Sequence, residues 1–117
     1  MGNKDGKKKS PMDQLYDASY EMKFQARQLE KEAQRAQLKE AQEKKKAKIY
    51  MDKGDMESAK IIAGEAIRYR QEATHYYRLG AKMTAVSSKL DSAVRTQQVS
   101  EQIKNAVPSL KAALSSL

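Results

Sequence analysis

Apolar residues enter the first third of the chain on a repeat of seven: Leu15, Met22, Leu29 and Ala36, with Ala26 and Ala33 between them. Alternating steps of three and four are the mark of a helix packed lengthwise against another helix. Ala, Glu, Gln, Lys and Arg fill the other positions, and these are the strong helix formers. The pattern predicts a first helix over residues 12–48, roughly 55 Å long at 1.5 Å per residue. The stripe weakens after Ala36, where Lys39, Lys44, Lys45, Lys46 and Lys48 crowd the chain.

A break follows in residues 50–55, where Gly54 gives turn freedom and Asp52 and Asp55 are candidate N-caps. Beyond it Ala59, Ile62, Ala66, Tyr69, Ala73, Tyr76, Gly80, Met83, Ser87, Leu90, Val94 and Gln97 alternate steps of three and four without a slip. This predicts one continuous second helix over residues 55–105, with Gly64 and Gly80 allowing a second helix to come close. Pro108 biases Val107 away from helical geometry, so the second helix is expected to end or kink there. Residues 109–117, with Leu110, Ala113, Leu114 and Leu117 on one side, then read as the opening of a third helix. Because that pattern stops without a cap, the sequence reads as part of a longer protein. The fold class is all-α: a long two-helix antiparallel hairpin, or an open extended form of it, with the start of a third helix. Its packing residues are Leu15, Met22 and Leu29 on the first helix and Ile62, Tyr69, Tyr76, Met83 and Leu90 on the second.

Composition narrows the function. The chain has 117 residues, no Cys, no Trp, one Phe, two Pro and 39% hydrophobic residues. The length allows one domain at most. Without Cys there are no disulfides, thiolate zinc sites or Cys nucleophiles. No apolar run approaches the length of a membrane span, and the Lys-rich start has no apolar stretch behind it. His75 stands alone among Thr74, Tyr76 and Tyr77, and a metal site needs several converging ligands. Acidic residues are interleaved with Lys and Arg as helix-surface pairs, and no Gly-rich phosphate loop exists. The expectation is a protein that is not an enzyme, with no cofactor and no metal.

The net charge is +8, and the positive groups are ordered. Residues 1–51 hold 13 basic and 8 acidic groups, a local +5. Lys23, Arg27, Lys31, Arg35 and Lys39 recur every four residues as a slowly winding ridge. Arg68, His75, Lys82 and Lys89 recur every seven, each just before a seam residue. Residues 1–11 read as a disordered basic tail whose Lys4, Lys7, Lys8 and Lys9 are further candidates for an anionic surface. The tail opens Met1-Gly2, but Gly6 stands where a myristoylation signal has Ser or Thr. Acidic lipid attracts such residues at roughly 1 kcal/mol per basic side chain. Nucleic acid is the competing polyanion, but Tyr69 and Tyr76 lie on the seam and leave no stacking platform, so no nucleic acid is expected. Two other readings remain open: a structural coiled-coil adaptor without a membrane role, and a basic helical nucleic-acid-binding protein.

The run Lys23-Phe24-Gln25-Ala26-Arg27-Gln28-Leu29-Glu30-Lys31 resembles the first-helix signature of ESCRT-III subunits, within them the charged multivesicular body protein 1 branch. So do Ala59-Lys60-Ile61-Ile62-Ala63-Gly64-Glu65-Ala66-Ile67-Arg68, then Glu72 and Leu79, and Met83-Thr84-Ala85-Val86-Ser87-Ser88-Lys89. The likeness runs over about residues 12–114. It implies a helical hairpin that switches from a closed cytoplasmic monomer to an open polymer on endosomal membranes, acting in membrane remodelling and scission. It also implies homo- and hetero-polymers with other ESCRT-III subunits and an acidic membrane surface met by the basic first helix. An ATPase partner is implied only through a C-terminal region beyond residue 117.

Overall fold

The computed structural model describes residues 10–117. Two helices account for nearly all of them, α1 over Pro11–Asp52 and α2 over Met56–Ser115, and no strand occurs among the described residues. The basic tail expected over residues 1–11 lies, for residues 1–9, outside the described residues. Ser10 and Pro11 already belong to the helix start. The Asp13 N–H donates to Ser10 Oγ (3.1 Å), the Gln14 N–H to the Ser10 carbonyl (3.0 Å), and Pro11 takes the first helical position. A Ser cap followed by Pro is a favoured entry to a helix, since Pro lacks only an N–H that would be unpaired there.

The two helices are joined by a turn that closes one and opens the other. Gly54 has φ of +81°, the left-handed region a side chain would strain. The Gly54 N–H bonds the Met51 carbonyl and the Asp55 N–H bonds the Tyr50 carbonyl, both at 2.9 Å. This is the Schellman pairing that ends a helix on glycine. Asp55 then caps α2, its carboxylate accepting from the Ser58 N–H at 3.1 Å.

The chain packs as two units, residues 23–84 and the described parts of residues 1–22 with 85–117. In the first, α1 and α2 run antiparallel on either side of the Gly54 turn. A Cβ added to Gly80 would lie 3.6 Å from the Ala26 carbonyl and from Leu29 Cβ, and Arg70 Nε donates to Glu40 at 2.9 Å. These contacts set a register in which paired positions sum to about 109, placing Ala33 and Ala36 near Ala73 and Tyr76. Gly64 has nothing within 4 Å of an added Cβ, so its expected part in close approach does not hold. In the other unit Ser19 and Ser87 are both 2% exposed. Their hydroxyls lie 3.3 Å apart, Ser87 also donates to the Ser19 carbonyl (3.4 Å), and Ser19 donates to the Asp91 carboxylate. This polar layer is satisfied within itself, as a buried hydroxyl requires.

The buried positions are small: Ala33, Ala36, Ala47, Ala59, Ala66, Ala73 and Val94, with the two serines. The larger expected packing residues, Leu15, Met22, Leu29, Ile62, Tyr69, Tyr76, Met83 and Leu90, are all half-buried along the same seams. On α1 the seam does not weaken after Ala36. It continues through half-buried Glu40 and Glu43, buried Ala47 and half-buried Tyr50.

No third helix begins after Pro108. α2 passes through that residue and continues to Ser115. Residues 99–117 are all exposed, so the Lys104 carbonyl, deprived of a donor by the proline, faces water instead of an apolar interior.

Candidate anion-facing surface of the first helix

Helical steps of four residues advance 400°, so each member of the Lys23–Lys39 series lies about 40° around α1 from the last. The ridge therefore crosses the helix. All five residues are exposed. Lys23 sits on one flank, beside Tyr77 and Thr84 at the rim of a notch of about 340 Å³. Lys39 sits on the other, its Nζ 5.5 Å from the Tyr69 ring centre. Arg27 borders the same notch from the outer side, Lys31 and Arg35 lie on the crest away from α2, and no single plane touches all five.

The heptad register identifies what else shares that outer face. Between Phe24 and Ile49 its residues are Phe24, Arg27, Gln28, Lys31, Gln34, Arg35, Leu38, Ala41, Gln42, Lys45, Lys48 and Ile49. Five are cations and none is a carboxylate. The four acidic residues of this stretch lie elsewhere: Glu30 and Glu32 on the flanks, Glu40 and Glu43 in the seam. Lys44 pairs with Glu40 and Lys46 with Glu43, each at 3.1 Å. Among the described residues Arg27, Lys31, Lys45 and Lys48 enter no ion pair, and Arg35 pairs only with Glu32 at 2.6 Å. Three large apolar residues, Phe24, Leu38 and Ile49, stand exposed among them. The i,i+4 reading captured Arg27, Lys31 and Arg35 and missed Lys45, Lys48 and the apolar members. The signal that finds them is the seam register carried through Glu40 and Glu43.

Two carboxylates, one in the seam and one at the turn, are held ionised by their partners. The Arg70 hydrogen bond, then Lys44, hold the Glu40 carboxylate below its usual range. The Ser58 N–H does the same for Asp55. Each group has a lower pKa folded than unfolded, so its contribution is present above the unfolded value and is lost as pH falls through the folded one. The melting temperature should decline on acidification below about pH 4. Glu40→Gln should start lower at pH 7 and decline less by pH 3; parallel declines would show that Glu40 does not contribute. Arg68, raised by Glu65 (2.7 Å), stays charged throughout and adds no pH dependence.

Among the described residues no three His, Cys, Asp or Glu side chains gather as a metal site, and His75 is exposed on α2. No helix among them is long and apolar enough to cross a membrane.

Comparison with known proteins finds relatives over most of the chain. The profile of the Snf7 family matches residues 17–117. The ESCRT-related protein CHMP1B of Arabidopsis thaliana is 32% identical over 102 residues, covering 87% of this chain and 50% of that protein. The ESCRT-related protein CHMP1 of Oryza sativa subsp. japonica is 35% identical over 95 residues, 81% of this chain and 46% of its own length. Charged multivesicular body protein 1 of Dictyostelium discoideum is 33% identical over 92 residues, 79% of this chain and 48% of its own. The chain thus spans about half the length of these curated relatives. With the family profile matched over residues 17–117, the chain belongs to the Snf7 family of ESCRT-III proteins.

Proposed function

We propose that this chain binds anionic membranes through the outer face of α1 and polymerises with copies of itself and with related subunits. On this reading it is a cytoplasmic, non-enzymatic protein, peripheral on endosomal membranes, that acts in multivesicular body sorting and related scission. The observation that carries the membrane half is the carboxylate-free face from Phe24 to Ile49, with Arg27, Lys31, Arg35, Lys45 and Lys48 around three exposed apolar residues. Cations draw the helix to acidic lipid, and Phe24, Leu38 and Ile49 have the place and size to enter the interface. Family membership and the relatives' names support the sorting role. Lys23 and Lys39, on the flanks, add long-range attraction, as do Lys4, Lys7, Lys8 and Lys9 of the tail.

The test is co-sedimentation with phosphatidylserine-rich and with phosphatidylcholine vesicles. Reversing Arg27, Lys31 and Arg35 to Glu should lower the partition onto acidic vesicles by on the order of 100-fold, at about 1 kcal/mol for each cation lost. Helix content should hold, because all three are exposed and the Arg35–Glu32 surface pair contributes little. Binding by the parent should also fall as salt rises, screening being effective beyond about 10 Å at 0.1 M. Equal sedimentation of parent and variant would remove this face from the mechanism. Equal binding to neutral vesicles would favour the adaptor reading, and preference for an oligonucleotide at matched salt the nucleic-acid one.

A further inference from the structure

α2 carries a second seam that α1 does not touch. Val99, Ile103, Ala106, Leu110 and Ala113 follow steps of four, three, four and three, with Leu117 four further on just past the helix end, and all are exposed, Ile103 by 61% and Leu110 by 60%. Its phase differs from that of the first seam. Continuing the rhythm of Ser87, Leu90, Val94 and Gln97 leads to Glu101, Lys104, Pro108 and Lys111, three of them charged and none a Leu, Ile, Val or Ala. The apolar stripe instead restarts at Val99, two residues or about 200° of helical turn after Gln97. It therefore lies roughly opposite the side of α2 that packs on α1, and what covers it must approach from there.

We propose that residues 99–117 pair antiparallel with the same residues of a second copy, about a two-fold axis at Pro108. The rhythm is that of a helix meeting a helix. Antiparallel pairing with positions summing to 216 gives the layers Val99 with Leu117, Ile103 with Ala113 and Ala106 with Leu110, each twice. In the two inner layers a large residue meets an alanine, so volumes complement. Parallel pairing would set Ala106 on Ala106 and Ala113 on Ala113 and leave holes. The positions flanking the antiparallel seam are Ser100, Gln102, Val107, Ser109, Leu114 and Ser116, all uncharged. The charged residues, Glu101, Lys104 and Lys111, point outward with a net charge of only +1 (two Lys less one Glu) in a chain of +8. Two copies thus meet here without the repulsion that their basic faces would impose. Pro108 falls on the outer side, where its missing N–H and its ring do not obstruct the partner. A lipid surface, by contrast, calls for cations along the stripe's borders, and none is there.

This contact names one interface within the self-assembly proposed above and rests on that reading, yet it is measured without membranes or filaments. By sedimentation equilibrium the chain's average mass should rise from 13.2 kDa toward twice that value over about two decades of concentration, as mass action requires. Ile103→Glu and Leu110→Glu should each weaken association by about tenfold or more, with helix content unchanged because both residues are exposed. Since the chain has no Cys, Ser109→Cys and Ser116→Cys report geometry. Oxidation should crosslink copies of the first, which meet across the axis, far faster than copies of the second. A monomer at every concentration overturns the contact, as does equal crosslinking of the two Cys variants. So does loss of vesicle binding in the Glu variants of a monomeric chain, which would make the stripe a lipid-facing surface. Filament formation on acidic vesicles, scored by electron microscopy, judges the broader reading separately.

Discussion

Ala33→Asp should abolish most of the chain's thermal stability. Ala33 is 0% exposed, and the register places it near Ala73 and Tyr76, where the helices approach over alanines. A carboxylate there has no cation within the seam and displaces the close contact. An uncompensated buried charge costs about 3–5 kcal/mol before relaxation. This hairpin has little reserve, because no side chain larger than Val is among its buried residues. At about 4–8 °C per kcal/mol for a chain near this size, the melting temperature should drop by on the order of 15 °C or more. Ala41→Asp is the control: the same change in helix propensity on the exposed outer face of α1, expected to cost well under 1 kcal/mol. Circular dichroism melts of the two variants decide the matter. If both melt alike, Ala33 is not in the contact and the register is wrong.

That register was half legible in the sequence. On α2 twelve seam positions keep their rhythm with Ile, Tyr, Met, Leu and Ala, and each of them is at least half-buried in the fold. On α1 the same rhythm passes through Ser19, Glu40 and Glu43, whose names say solvent. Their surroundings say otherwise. Ser19 is held by Ser87 and Asp91, and the Glu40 side chain, 13% exposed, accepts from Arg70 and pairs with Lys44. A polar residue whose partner comes from a helix 30 positions away cannot be recognised as a seam member from local pattern. The cost of missing it was the outer face: with the seam apparently fading after Ala36, nothing tied Lys45 and Lys48 to Arg27, Lys31 and Arg35. The helix boundaries show the same division. Gly54 and Asp55 announce the turn through backbone chemistry that is local and strong. The end expected near Pro108 rested on a local preference too, but the flanking helix formers and an exposed Lys104 carbonyl outweigh it.

The consequence is greatest at Pro108 itself, where Pro108→Ala should make the last third of α2 far more persistent. From Val99 onward no residue of α2 is even half-buried, so packing contributes nothing there and helix formation depends on intrinsic propensity and chain continuity. Proline in a helix interior is about 3 kcal/mol less favourable than alanine, through its missing N–H and the clash of its ring with the carbonyl four residues earlier. That carbonyl belongs to Lys104. The alanine variant restores the donor and removes the clash, extending the unbroken ladder from the packed part of α2 to Ser115. Amide exchange at residues 109–114 should slow by on the order of 100-fold, the factor that 3 kcal/mol corresponds to at 1.4 kcal/mol per decade. Exchange in the seam at residues 87–97 should stay as it was. Ser109→Ala, which improves propensity by about 0.5 kcal/mol without touching the backbone donor, should change exchange only slightly. The size of the Pro108 effect matters for assembly because a segment already helical loses less freedom on meeting a partner. Equal exchange in the parent and the alanine variant would show that proline costs this helix nothing. The persistence of α2 beyond Gln97 would then have to come from a contact covering the exposed stripe.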